Sequence, residues 1–377
     1  MMQMKEKKMS KSKIRAEIIE KLKKLGEQLE KEIQNNKDPE ITMPIRTLSN
    51  AYFDDKDKLI RLGDKKQTRN FFNVGQARKF MQTTLIAAQI KELLEQDKPS
   101  ISTRQLYYIL KRTIEGLKEN TFEDQTESDP IIEDVEVSID ALREELGLEP
   151  TPKGVFSGLI TYKDLRTGDE INCRKMGTAG AAIPANVEPS VMEFKKSEAK
   201  FVLVVEKFAV WNVLNQMRFW EKHKCILLTG KGQGERSARR LVSRLNKELK
   251  LPVYVFCDFD PYGYYIYSVY KQGSINLAFF SEKAGCPDAK YIGLKHDDIK
   301  EFKIPKTNFI KLTEQDLKRL KEIKNYEWFK KKEWQDEIQK AIDFGYKIES
   351  DALVSKTIEF MGDTYLPKVI KDKDWLD

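Results

Sequence analysis

A chain of 377 residues, 34% charged and 40% hydrophobic, is long enough for two domains and has the composition of a globular protein, not of a fibrous or disordered one. No apolar run approaches the length of a membrane span and no signal-type apolar segment opens the chain. The net charge of +7 lies mostly in residues 1–24, where nine Lys/Arg face three Glu, so the remainder is close to neutral (7 − 6 = 1) and overall basicity alone does not argue for nucleic acid.

The four cysteines, Cys173, Cys225, Cys257 and Cys286, lie far apart with no zinc-type spacing and read as reduced residues of a cytoplasmic protein. With only two histidines, His223 and His296, chemistry built on a histidine base is disfavoured. A Gly-x-x-x-x-Gly-Lys-[Ser/Thr] nucleotide loop is absent from the sequence.

In chain order, residues 1–12 show no periodicity, and Ile14, Ile18, Leu22, Leu25, Leu29 and Ile33 then recur at helical spacing. That amphipathic helix is expected to pack on its own domain, with docking to a partner as the second choice. Residues 37–66 read as irregular, and a helix is expected over Val74–Glu95. After the break at Asp97-Lys-Pro-Ser100, Ser102 and Gln105 form a capping box that opens a helix from Thr103 to about Ile114. Two helices across a tight turn suggest a helix-turn-helix unit. On the second of them, Arg104, Tyr108 and Arg112 fall four apart in one stripe, whereas Tyr107 sides with the apolar Leu106, Leu110 and Ile114. Tyr108 is therefore the presented phenol. A phenol with a pKa of about 10 is a poor nucleophile, and flanking guanidinium groups favour its phenolate and can hold a phosphodiester. The plain alternative is a solvated, stacked Arg-Tyr-Arg face.

Residues 119–129 read as an acidic loop, with a fourth helix starting at Asp129-Pro130. Val155–Tyr162 and Glu170–Lys175 read as a hairpin around Arg166–Asp169. Helices followed by a hairpin make a winged helix, expected over 68–176 after an N-terminal arm and helix at 1–67. Residues 177–196 read as a linker into an α/β domain, 197–377, with a mostly parallel sheet.

In that domain Phe201–Val205 and Val253–Cys257 are short apolar runs, the first followed by Glu206 and the second by Asp258-Phe-Asp260. Residues two apart in extended backbone share a face, so Asp258 and Asp260 point the same way. Ligands of open parallel sheets bind at the carboxyl ends of the strands, where Glu206, Asp258 and Asp260 could converge on Mg²⁺. Strand-end acids can also simply cap helices, but a pair plus a third, each ending an apolar strand, favours a metal. Between the two strands, Gly230-Lys-Gly-Gln-Gly234 precedes a helix with Arg236, Arg240 and Arg244 at four-residue spacing and Arg239 beside them. Such a loop can hold a phosphate, which makes Lys231, Arg236 and Arg240 candidate DNA contacts; an ordinary solvated arginine face is the alternative. Lys-rich 318–332 reads as a solvated helix.

Thr103-Arg-Gln-Leu-Tyr-Tyr108, Glu119–Asp134, Val204-Val-Glu-Lys207, Thr229-Gly-Lys-Gly-Gln233, Asp258-Phe-Asp-Pro-Tyr-Gly263 and Lys347–Leu353 occur in this order. In these motifs, from about residue 68 onward, the chain resembles the A subunits of DNA topoisomerase VI, archaeal type IIB enzymes related to the meiotic double-strand-break transesterases. The resemblance implies a CAP-like winged helix followed by a Toprim domain in a nucleoid-associated enzyme. It makes Tyr108 the residue that attacks double-stranded DNA and leaves a 5′-phosphotyrosyl link, with Arg104 assisting. Glu206, Asp258 and Asp260 match the family's Mg²⁺-binding acids. It further implies a homodimer with each tyrosine over the other protomer's metal site, and an ATPase B subunit in an A2B2 assembly. Gly234-Glu235 and Phe208 depart from the family's expected pattern without touching those acids. The alternatives are a meiotic-type break-maker, a Toprim nuclease or primase without a covalent intermediate, and a non-catalytic DNA-binding scaffold. The Glu119–Asp134 segment favours the topoisomerase.

Overall fold

A computed structural model describes residues 11–377. The chain forms two compact units, one from the chain up to Asn50 with Leu62–Thr151, the other from Ala51–Arg61 with Pro152–Asp377.

The first unit is built around helices. Helix α1 (Lys11–Gln34) buries Ile18 and Leu22 and leans Ile14, Ile19 and Leu25 on the same core, so its apolar stripe is covered within its own unit, while Ile33 is left exposed. The rest of the expected arm lies outside the described residues. Residues expected to be irregular instead form strands. β1 (Glu40–Pro44) buries Ile41 and Met43, and the polar β4 (Lys66–Asn70) pairs with it antiparallel. The reason is polar: buried Arg69 of β4 binds Asp134 and donates to Thr83 Oγ1 at 2.9 Å, and no apolar alternation announces that pairing. In the sequence between β1 and β4, β2 (Ala51–Asp54) and β3 (Leu59–Leu62) form a short ribbon, whose residues 51–61 belong to the second unit.

Helix α2 (Val74–Glu95) starts as expected, with the Asn73 side chain accepting from the Gly75 N–H. After β5 (Ile101–Ser102), α3 (Thr103–Leu110) opens on the Ser102/Gln105 capping box. It stops at Leu110, four residues short of the expectation. Lys111 is extended, the Thr121 N–H donates to the Arg112 carbonyl at 2.9 Å, and Thr113 bridges Asn120. Helix α4 (Gln125–Ile139) begins earlier than expected because Asp124 caps it, accepting from the Thr126 N–H; Pro130 falls inside. β6 (Leu148–Glu149) pairs with β5 in parallel and closes the unit.

The second unit takes the hairpin that the sequence pattern assigns to a wing. β7 (Val155–Gly158) joins the main sheet. β8 (Ile160–Asp164) pairs antiparallel with β9 (Glu170–Asn172) and with β11 (Met192–Ser197) in a separate three-stranded sheet. β10 (Ala181–Ala182) pairs with β7, and Ile183 and Val187 are buried, so residues 177–196 are structured rather than a free linker. The main sheet continues with β12 (Phe201–Val205), β13 (Cys225–Thr229), β14 (Val253–Phe256) and β15 (Lys290–Tyr291). Its order is β10-β7-β13-β12-β14-β15, with β13, β12, β14 and β15 mutually parallel. Every residue of β12 and β13 is buried, the mark of strands covered on both faces. Helices α5 (Phe208–Gln216) and α6 (Phe219–Lys222) connect β12 to β13, α7 (Arg236–Leu249) connects β13 to β14, and α8 (Pro261–Gln272) follows β14. From β12 the chain runs outward to β13 and then crosses back to β14 on the other side. The β12/β14 boundary is thus a topological switch point, where open sheets of this kind bind ligands. Among the described residues no helix is long and apolar enough to cross a membrane.

Candidate metal centre and nucleophile

Glu206 and Asp258 lie at that switch point. The Glu206 N–H extends the ladder to the Phe256 carbonyl at 3.0 Å, and one Glu206 carboxylate oxygen accepts from the Asp258 N–H at 3.2 Å. Burial, and then the nearby charges of Asp258 and Asp260, push the Glu206 carboxyl up to about 8. Asp260 caps α8, accepting from the Gly263 N–H at 2.5 Å, and burial is the main cause that raises it to about 6. Gly263 is required here, since a Cβ would stand 2.4 Å from the Asp258 carbonyl oxygen. Asp258 itself is 4% exposed. Its Oδ1 accepts from the Ser350 N–H and Oγ at 2.8 and 2.6 Å, and its Oδ2 lies 3.0 Å from Lys207 Nζ.

The three acids expected to converge on one ion stand within one another's electrostatic reach, since the charges of Asp258 and Asp260 act on Glu206. Among the described residues no three His, Cys, Asp or Glu side chains are already gathered as a metal-holding group. Each carboxylate instead has a protein partner, and the cation beside Asp258 is an ammonium. The donor set still fits Mg²⁺. It offers hard carboxylate oxygens, and Mg²⁺ commonly uses one or two of them with waters and substrate phosphates. It also contains carboxyls that burial and mutual repulsion keep short of a positive charge.

Sequence reasoning missed the other half of this centre. Lys207 Nζ also lies 3.0 Å from Glu349 and 3.0 Å from Asp351. Residues 347–351 reach the strand end because Phe259 and Ile348 exchange backbone hydrogen bonds of 2.9 and 3.0 Å. Lys207 and the 347–353 segment were visible as motif residues, but their contact spans too much chain for periodicity to report.

In the first unit the two tyrosines part as expected. Tyr107 is 7% exposed, and its hydroxyl donates to the Glu123 carbonyl at 2.9 Å. Lys111, another residue missed, donates to both the Tyr107 hydroxyl and the Glu123 carbonyl at 2.9 Å. Tyr108 is 59% exposed, with Arg104 Nη2 at 3.5 Å from its hydroxyl and the guanidinium 5.8 Å from its ring centroid. Arg112 does not complete the stripe, because α3 ends before it; it is exposed on the returning chain.

The arginines of α7 are also corrected. Arg236 is 3% exposed and stacks 4.5 Å from the Phe280 ring, and Arg240 binds Glu188 through two contacts of 2.7 and 2.8 Å. Arg239 and Arg244 are buried too, Arg244 donating to the Val187 and Met192 carbonyls. The four-residue spacing is real but faces inward, Arg240 and Arg244 onto the 187–192 segment that was expected to be a linker and Arg236 onto Phe280. Lys231, with its ammonium 4.7 Å from the Phe208 ring, is the exposed member of that set.

The chain is similar to known proteins over nearly its whole length. Residues 201–370 match the family model of the Toprim domain shared by topoisomerase 6 A subunits and Spo11, and residues 78–148 match the model "Type IIB DNA topoisomerase". The chain is 43% identical over 369 residues to the A subunit of type 2 DNA topoisomerase 6 from Pyrococcus abyssi, covering 94% of each. It is 43% identical over 379 residues to its counterpart from Saccharolobus shibatae, covering 95% of this chain and 93% of the relative. The A subunit of DNA topoisomerase 6 from Arabidopsis thaliana is 34% identical over 337 residues, covering 89% of this chain and 76% of the relative.

Proposed function

The chain belongs to the A-subunit family of topoisomerase 6, the type IIB DNA topoisomerases, and from that premise we propose that Tyr108 is the nucleophile that breaks and rejoins DNA. Its phenol oxygen attacks a backbone phosphorus and loses its proton. The phosphorus–O3′ bond breaks, leaving a 3′ hydroxyl and a tyrosyl ester on the 5′ phosphate. The ester conserves the energy of the broken bond, so the 3′ hydroxyl can reverse the step. Arg104, beside the phenol, favours its ionised form and holds the phosphate.

Glu206, Asp258 and Asp260 are the residues that would hold Mg²⁺. When bound, the ion would supply charge stabilisation on phosphate oxygens. Phosphoryl transfer is largely positioning and electrostatics, consistent with a centre that contains no histidine. Two copies of this chain on double-stranded DNA, with two ATPase B subunits, complete the proposed assembly. DNA contact is through exposed Lys231 and Arg112 to the backbone, and hence salt-dependent.

One observation carries the assignment: of two adjacent phenols, one is buried with its hydroxyl committed to Glu123, and the other is exposed beside Arg104. The test mixes the protein with its ATPase partner, DNA, Mg²⁺ and nucleotide, and then denatures it. Wild type and Tyr107→Phe should carry covalently attached DNA, and Tyr108→Phe none. Attachment that persists in Tyr108→Phe refutes the assignment. Cleaved DNA without any attachment would make the enzyme a nuclease.

A further inference from the structure

An exposed lysine ordinarily keeps most of its rotamer freedom. Lys111, at the C-terminal boundary of α3, is exposed and yet held at its tip. Its ammonium donates to the Tyr107 hydroxyl and to the Glu123 carbonyl, both at 2.9 Å, and the Tyr107 hydroxyl donates to the same carbonyl at 2.9 Å, so the three groups close a triangle. The carbonyl does not depend on the lysine for its place. The Glu123 carboxylate accepts from the Asn120 N–H at 3.0 Å and from Asn120 Nδ2 at 3.1 Å, and Phe122 beside it is fully buried. The other anchor, Tyr107, is buried with its ring 5.0 Å from that of Tyr108.

Both acceptors are uncharged oxygens, so they position the charge of Lys111 without cancelling it. An ammonium carries three donors, and among the described residues two of them are engaged. The bond to Tyr107 is the main cause that holds the ammonium above its ordinary pKa, and the charges that add to it include those of Glu123 and Tyr108, so Tyr108 stands within its electrostatic reach. Arg104 lies on the turn before Tyr108, and Lys111 on the turn after.

We propose that Lys111 is a further substrate-binding residue beside the nucleophile: its ammonium, held by Tyr107 and Glu123, takes a backbone phosphate of the duplex that Tyr108 attacks. Tyr107 is then a positioning residue, acting on the DNA through Lys111. A lysine fixed before the DNA arrives loses less freedom on binding than a free one, so the triangle makes the contact stronger as well as placing it. This inference rests on the reading of Tyr108 as nucleophile and deepens it.

The test uses the full chain with its ATPase partner, duplex DNA, Mg²⁺ and nucleotide, and reads the DNA concentration that gives half-maximal covalent attachment at a series of salt concentrations. Lys111→Met should raise that concentration and reduce the slope of log affinity against log salt by about one per chain, the mark of one lost phosphate contact. Lys111→Arg, which keeps the charge, should restore most of the slope. Tyr107→Phe keeps the packed ring and the lysine but removes the hydroxyl between them. It should raise the half-maximal concentration by less than Lys111→Met does, and add nothing when combined with it. An unchanged salt slope in Lys111→Met, no recovery in Lys111→Arg, or losses that simply add in the double variant overturns the inference. If attachment is at the same time abolished by Tyr108→Phe, the nucleophile reading stands without it. Attachment that persists in Tyr108→Phe fails that reading and takes this inference with it.

Discussion

At the scale of single residues, Arg240 shows how far a side chain's role depends on what lies opposite. Its guanidinium meets Glu188 with both groups largely buried, at side-chain exposures of 15% and 16%. Burial acts to raise the Glu188 carboxyl, but the bonds to Arg240 prevail and hold it below its ordinary value of 4.5. A depressed carboxyl contributes stability above its unfolded pKa and loses it as the pH falls through the folded one. Arg240→Ala leaves a buried charge unpaired and should cost about 3 kcal/mol near neutral pH, measured by urea unfolding. The cost should shrink as the pH falls through the depressed Glu188 pKa of the wild type, below which the carboxyl is protonated in both proteins. An equal cost above and below that pKa would mean that the pair is not what Arg240 supplies. The four-residue spacing of Arg236, Arg240 and Arg244 was legible, but the side they face was not, because Glu188 and the Val187 carbonyl come from a stretch with no periodic pattern. Tyr107 and Tyr108 were separable because apolar neighbours on the same helix mark which of the two packs.

At the scale of elements, apolar runs were easy to read and polar pairings were not. The strands β12 and β14 and the helix over Val74–Glu95 follow from hydrophobic pattern and caps, whereas β4 exists through Arg69, Asp134 and Thr83. Glu206 and Asp258 could be placed at strand ends from sequence, but Lys207, Ser350 and Asp351 join them only through the fold. The glycine loop before α7 has a packing reason of its own. A Cβ on Gly234 would stand 2.2 Å from the Tyr270 hydroxyl oxygen, and one on Gly230 2.7 Å from the same atom. That hydroxyl is buried and has no hydrogen-bond partner among the described residues. Gly234→Ala should therefore cost about 2 kcal/mol through overpacking. Tyr270→Phe should be neutral or stabilising, since it removes a buried unsatisfied group. Combined, the two should cost less than their sum in a double-mutant cycle; strict additivity would mean that the loop and the phenol do not press on each other.

At the scale of the whole molecule, the chain passes between the two units at 50/51, at 61/62 and at 151/152. The ribbon 51–61 belongs with the second unit, where Leu59 and Ile60 are buried and Arg61 lies 2.7 Å from Glu282. A protease site inserted between Thr151 and Pro152 and then cut should leave fragments 1–151 and 152–377 eluting together on size exclusion under native conditions and apart only in denaturant. Separate native peaks would show that the ribbon is a weak graft. Mechanically, tension passing between the halves is shared by several backbones instead of one, and a tear must defeat the ribbon's packing as well as a peptide strand. For a subunit of a type IIB DNA topoisomerase, such fail-safe stitching keeps the chain's two halves joined under load.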